Sequence, residues 1–258
     1  MSEQYRDESS LNARIQLHDR FSTNKYGWHR WVFDQLSLSP ESRILELGCG
    51  TGRLWWENLN RVPRGWDITL SDLSSGMLQE ARRNLRNSQR HFEFGVIDAQ
   101  TIPFEDESLD AVMANHVLYH VPDRTKAFSE IHRVLRPGGH FYASTVGQAH
   151  LRELYELVHR FDPSADLWGA HPAESFLLEN GLDQLSLWFS KVTLHRYEDA
   201  LVITEAKPLV AYVLSSAAKS ILASKELEFI EFVEQELALH NAIYVTKDSG
   251  MFEALREA

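Results

Sequence analysis

The sequence holds a single cysteine, Cys49, among 258 residues. That excludes an intrachain disulfide and any metal knuckle built from several thiolates, and it suits a reducing compartment. Long apolar runs are missing too. The nearest, from Pro208 to Ala218, is interrupted by Tyr212, Ser215 and Ser216 and ended by Lys219, well short of the roughly 20 residues a membrane span needs. The first twenty residues carry charges throughout and lack an apolar h-region, so no secretory leader is expected. Basic charge is scarce, with 26 Lys and Arg against 37 Asp and Glu and a formal net charge of −11. A net anion is repelled by DNA, RNA and anionic lipid, which argues against broad electrostatic binding to any of them. The expectation is a cytoplasmic protein with no DNA or membrane partner. No internal repeat or low-complexity linker is visible, and the length fits one large domain with additions.

What the sequence does contain, from about residue 28 to residue 146, is an alternation of apolar runs and helical periods. Tyr26 to Leu38 reads as a helix with Trp28, Trp31, Val32 and Leu36 on one stripe. Strands are predicted at Arg43–Leu47, Ile68–Leu70, Phe92–Val96, Leu109–Ala114 and His140–Ser144. Helices are predicted from Arg53, over Met77–Leu85 and over Arg124–Leu135, and Pro137-Gly138-Gly139 reads as a break before the fifth strand. Strands alternating with helices predict a parallel sheet covered on both faces. Right-handed crossovers then bring every strand's carboxyl end to one edge, where ligands bind.

The last hundred residues follow a different pattern. Ala149–Phe161, Pro172–Asn180, Glu205–Leu214 and Ser224–Leu239 read as helices, and Lys191–Thr204 and Ile243–Val245 as strands. In the last helix Leu227, Ile230, Val233 and Leu237 are expected to share the buried face. The chain thus divides into an N-terminal helical cover (1–39), a core (40–147), a helical insertion (148–190) and a closing segment (191–258).

Within the core, Gly48-Cys49-Gly50-Thr51-Gly52 follows an apolar strand directly. Glycines at alternating positions permit a sharp turn and let a ligand lie against bare backbone near a helix N-terminus. The dinucleotide fingerprint G-x-G-x-x-G fails in both registers, since Arg53 or Trp55 falls where its third glycine belongs. The spacing is G-x-G-x-G, preceded by Glu46.

This stretch resembles the first motif of the class I S-adenosylmethionine-dependent methyltransferases, in the branch related to quinone-biosynthesis methyltransferases. Further segments match in order: Asp72 after the second strand, Asp98-Ala99 after the third, Pro103-Phe104 and Leu109-Asp110 leading into the fourth, Asn115-His116 ending it, and Arg133-Val134-Leu135-Arg136-Pro137-Gly138-Gly139 before the fifth. The resemblance covers roughly residues 40–147. It implies a Rossmann-like doubly wound α/β sheet of seven strands, mostly parallel with an antiparallel seventh. It also implies S-adenosylmethionine as cofactor, S-adenosylhomocysteine as product, and a cofactor site made by Glu46, Gly48, Cys49, Gly50, Asp72, Leu73, Asp98, Ala99 and Asn115. In that family the acid at the Asp72 position bonds both ribose hydroxyls, Asp98 lies near the adenine amine, and Asn115 meets the methionine portion. For Asp110 a solvated or capping role is at least as well founded as a ligand contact.

His116 and His120 stand four apart, but Val117 replaces the glutamate of a zinc-binding H-E-x-x-H and no third ligand is evident, so no metal is expected. Methyl transfer from an activated donor needs positioning and dehydration first, and a base only where the acceptor holds its proton. Histidine suits that task near neutral pH. His120 is the first candidate, with Tyr119 and His116 behind it, and a packing role is the competing reading. The run Asn115-His116-Val117 lacks the Asn/Asp-Pro-Pro-aromatic motif of DNA amino-methylases. From the N-terminal stretch, Arg20 or Lys25 could meet the cofactor carboxylate and Tyr26 or Trp28 could wall an acceptor pocket, against the plainer reading of a helix docked on the sheet. Trp168, His171 and Phe176 could also contact the acceptor. A small-molecule acceptor is the expectation. The alternatives are a protein or RNA acceptor, and a cofactor-binding protein without activity.

Overall fold

The computed structural model describes residues 8–167 and 176–257. They fall into two compact units, each assembled from three chain segments. One holds the described residues of Tyr26–Gly147, Glu174–Tyr197 and Ser249–Ala258; the other holds those of Met1–Lys25, Gln148–Ala173 and Glu198–Asp248.

In the first unit, strands β1 (Arg43–Leu47), β2 (Asp67–Ser71), β3 (Phe92–Gly95), β4 (Leu109–Asn115) and β5 (Leu135–Val146) pair in parallel. With β6 (Lys191–Ile203) and β7 (Ile243–Leu255) they make one seven-stranded sheet of order β3-β2-β1-β4-β5-β7-β6. β7 runs antiparallel to β5, with His140 opposite Leu255 and Val146 opposite Ser249. β6 and β7 each contribute residues to both units. The architecture expected from the sequence is the one found.

Strand residues alternate between two cores, as the two-residue period dictates. Leu45, Leu47, Val112, Ala114, Phe141 and Ala143 join Phe128 and Ile131 of α5 (Arg124–Val134). Ile44, Ala111, Met113 and Tyr142 join side chains of α2 (Trp28–Asp34), α3 (Arg53–Glu57) and α4 (Ser75–Leu85). Burial on both faces is why these strands read as continuous apolar runs. At their amino-terminal ends Asp110 accepts from the Arg43 backbone N–H at 2.7 Å and from Arg136 Nη1 at 2.9 Å, while Arg43 Nη1 donates to the Ser108 carbonyl at 3.1 Å. Asp110 therefore fastens β1, β4 and β5 together, a structural role beyond the solvated or capping one weighed for it above.

Four local expectations need correction. β5 begins at Leu135, because the Pro137-Gly138-Gly139 break leaves the ladder only between Leu135 and His140 and the chain is held there by a Gly138 N–H bond to the Arg256 carbonyl. β7 continues ten residues past Val245, since the polar run Lys247–Gly250 enters a ladder instead of turning. In α10 (Glu226–His240), Leu227 is 77 % exposed and Phe229, Val233 and Glu236 are buried. Phe229 packs at a tilt against Phe161 and Glu236 pairs with Arg160, so an aromatic contact and an ion pair rotate the buried face away from Leu227. Of the predicted helix at Pro172–Asn180, residues 172–175 lie outside the described residues and 176–180 are not helical.

The second unit packs α1 (Glu8–Phe21), α6 (Arg152–Phe161), α8 (Ala206–Leu214) and α10 around Leu17, Leu154, Leu209, Val213, Phe229 and Val233. Asp199, whose side chain is shielded from solvent, accepts from Lys247 Nζ, the Ser22 hydroxyl and the Asn24 N–H. No helix of the described residues is long and apolar enough to cross a membrane.

α3 is anchored to α2 by charge. Glu57 accepts from Arg53 Nε at 2.6 Å, and His29 Nδ1 lies 3.6 Å away. Burial alone would raise this carboxyl, but His29 and Arg53 outweigh it and hold it at about 2 against an ordinary 4.5. Depressed in the fold, Glu57 contributes stability above about pH 4.5 that is lost as pH falls toward 2. We expect Glu57→Gln to cost about 2 kcal/mol at pH 6 and far less at pH 3, measured as urea unfolding free energies of both proteins. A pH-independent difference would refute the assignment.

Candidate functional site

The strand order turns back at β1, which lies between β2 and β4. In open α/β sheets the crevice beyond the carboxyl ends at such a reversal is where ligands bind. Each sequence-nominated group near it can be placed from the residues upward.

Beyond β1 the chain turns through Gly48, Gly50 and Gly52, with φ of 70°, 54° and 73°. A Cβ on Gly48 would lie 2.7 Å from Val117 Cγ2, so the loops after β1 and β4 interlock there. A Cβ on Gly50 would meet nothing within 4 Å. The turn is thus packed on one side and open on the other. The Cys49 N–H donates to the Ser71 carbonyl at 2.8 Å, and its buried thiol is pushed up by desolvation and by the Glu46 and Asp72 carboxylates, leaving it inert.

Asp72 follows β2 directly. Its Oδ2 accepts from the Gly50 N–H at 3.0 Å and its Oδ1 from the Ser74 N–H at 2.8 Å. Burial pushes this carboxyl above the usual range, and the two N–H bonds partly offset that. Leu73 stands exposed beside it. Past β3, Asp98 accepts from the Gln100 backbone N–H at 2.9 Å and from its side-chain amide, closing a tight turn, and Ala99 is buried.

Glu46, only 2 % exposed, lies under the turn. Its Oε2 accepts from Trp55 Nε1 at 2.6 Å and its Oε1 from Asn115 Nδ2 at 2.9 Å. Burial raises this carboxyl as well, against the pull of both donors. Asn115 ends β4, and its Oδ1 is buried with no hydrogen-bond partner, an uncommon condition for a native acceptor.

The next residue, His116, has φ of 52° without being glycine. Its N–H donates to both the carbonyl and the hydroxyl of Ser144, at 3.2 and 3.1 Å. Its ring lies 5.0 Å from Trp28, which also contacts Trp31 and Tyr197. His120 is exposed, in the 3-10 turn Leu118–His120, with its ring 4.5 Å from Tyr119. Among the described residues no group of three or more His, Cys, Asp or Glu is arranged to hold a metal. Trp28 therefore lies against the end of β4, whereas Tyr26 bonds Asp34 at 2.7 Å. Arg20 pairs with Glu205 and Lys25 reaches the Arg20 carbonyl, both inside the other unit. Phe176 is fully buried in the core, and Trp168 and His171 lie outside the described residues.

Sequence reasoning missed Trp55, Ser144 and Tyr197, and placed Trp31 only on the stripe it shares with Trp28. Only Trp55 left a signal: a buried indole N–H needs an acceptor, and a helix opening just after the turn brings it back over Glu46.

A seven-stranded sheet of this order with an antiparallel β7 is the architecture that the resemblance to the class I S-adenosylmethionine-dependent methyltransferases implies. Residues 45–143 match the family model described as a methyltransferase domain, and the chain carries that domain. The chain is 32 % identical over 120 residues to the ubiquinone/menaquinone biosynthesis C-methyltransferase UbiE of Pectobacterium carotovorum, covering 43 % of this chain and 45 % of that protein. It is 34 % identical over 129 residues to the malonyl-[acyl-carrier protein] O-methyltransferase of Serratia marcescens, covering 49 % and 47 %. The chain thus spans about half the length of the curated relatives it matches. The YcgJ protein of Bacillus subtilis shares the fold, with a TM-score of 0.60 at 16 % identity over 89 % of this chain and 98 % of that one.

Proposed function

We infer that this protein transfers the methyl group of S-adenosylmethionine to a small-molecule acceptor and releases S-adenosylhomocysteine. The observation that carries the reading is the glycine turn, open beside Gly50 and clamped by Asp72, with the orphaned acceptor of Asn115 across β1. The residues suit the cofactor: a carboxylate for vicinal hydroxyls, bare backbone for close approach, and an acceptor lacking a donor. When bound, the cofactor supplies a methyl group already activated on a sulfonium. Asp72 would hold the ribose, with Leu73 as apolar cover for the base and Asp98-Ala99 bordering it. Gly48, Cys49 and Gly50 would present backbone to the ligand, and Asn115, fixed by Glu46, would face its methionine portion. His120 is the proposed base for an acceptor that must lose a proton, supported by its exposure beside Tyr119 just past β4. The Trp28–His116 pair supports an aromatic wall for the acceptor. A reducing, cytoplasmic setting suits the single buried thiol.

Calorimetry with S-adenosylmethionine, S-adenosylhomocysteine and NAD tests this directly. Binding of the first two without NAD is expected, and NAD binding without either would overturn it. Labelled methyl groups should then pass from the cofactor into the small-molecule fraction of a metabolite extract. Label confined to protein or RNA would assign a macromolecular acceptor instead.

A further inference from the structure

Beyond α7 (Gly181–Leu185) the chain is anchored inward twice. The Phe189 ring lies 5.5 Å from Phe141 and 5.9 Å from His132, and the Trp188 ring lies 6.5 Å from His132. With both of its followers turned toward α5 and β5, Leu187 is driven outward. It is 82 % exposed, more than any other large apolar side chain among the described residues. Leu187 also edges a cavity of about 260 Å³ between α7 and the first turn of α5. Phe128 and Trp188 give this cavity aromatic walls, and Asp123 and Arg124 line it with one charge of each sign. Arg124 Nε donates to Gln184 Oε1 at 3.3 Å, tying the two sides together.

We propose that this face is the interface of a two-fold dimer, in which Leu187 of each copy enters the cavity of the other. A two-fold contact requires one patch to carry both members of every complementary pair. Here a protruding leucine stands beside a hole with room for its four side-chain carbons. The charges obey the same rule, because a two-fold axis can set Asp123 against the partner's Arg124 and Arg124 against the partner's Asp123. That pairing fixes the register and needs no charge from outside. The chain as a whole carries −11, so two copies repel each other in most orientations. A patch whose charges cancel is where they can approach, whereas a partner chosen for its charge would meet a surface of one sign. An apolar anchor seated in an aromatic-walled pocket is also the arrangement that concentrates binding energy in protein contacts.

Sedimentation velocity of the full chain tests this. At about 50 μM, where a micromolar complex is well populated, the wild type should sediment at twice the mass of one chain. Leu187→Asp should raise the dissociation constant about ten-fold or more, with an unchanged far-UV circular dichroism spectrum because the side chain lies on the surface. Thr125 lines the cavity. Mixing Thr125→Cys chains with Leu187→Cys chains under mild oxidation should therefore give a disulfide that joins one of each, and the buried Cys49 takes no part. A monomeric wild type would overturn the inference and leave the patch to a different protein. Species larger than a dimer, association that survives Leu187→Asp, or cross-linking no faster in the mixture than in either variant alone would overturn it as well.

Discussion

Replacing Asp72 by alanine will weaken S-adenosylhomocysteine binding about 100-fold, since two hydrogen bonds to a charged acceptor are lost together. The unliganded protein will lose little stability: the Gly50 and Ser74 N–H groups that Asp72 now holds sit in a half-open turn where water can replace it. Calorimetry paired with thermal melts separates the two effects, and unchanged affinity would remove Asp72 from the site. Acid should mimic the substitution. With the ribose on Asp72 as proposed, only the ionised carboxylate would accept from both hydroxyls while keeping its two N–H partners. Burial pushes this group upward, so affinity should begin to fall at a higher pH than an exposed aspartate would set.

The second large effect separates two glycines of one turn. Gly48→Ala places a methyl 2.7 Å from Val117 Cγ2 at a backbone angle that disfavours any side chain. Left-handed strain and overpacking each cost about 1–3 kcal/mol, a large share of a typical domain's total stability. Melting should fall by about 5–15 °C, and adding Val117→Ala should restore only the steric part. Gly50→Ala carries the left-handed strain at φ 54° but meets open space, so its melt should fall by the strain's share alone, less than that of Gly48→Ala, while cofactor affinity falls steeply. A Gly50 variant that binds normally would mean the ligand does not lie against that turn.

Much of the sheet was legible because its strands obey local rules. Arg43–Leu47 is a run of β-compatible residues ended by glycine, and it is β1 to the residue. The elements that were misread are those fixed by distant partners. Lys247–Gly250 carries every mark of a turn, yet β5 supplies a ladder for Ser249 and Gly250 a hundred residues away in sequence. Leu227 outranks Glu236 on any hydropathy scale, but Arg160 makes the glutamate the cheaper residue to bury. The site divides the same way. Asp72 and the glycines follow from spacing. The commitment of Glu46 to Trp55 and Asn115 does not, because one partner is nine residues off and the other sixty-nine. His116 gives no hint of a left-handed backbone, which is set by the Ser144 groups that receive its N–H.

The Arg43–Asp110–Arg136 fastening at the opposite rim has a bearing on descent. Because the Asp110–Arg136 ion pair and the backbone bonds of Arg43 and Asp110 align β1, β4 and β5 from below, the loops above are relieved of holding the strands in register. Such a scaffold lets the upper loops and the segments outside 45–143 drift toward new acceptors while the foundation persists. The matched family segment holds Asp110 and Arg136 of this foundation, begins two residues after Arg43, and leaves both ends of the chain outside it.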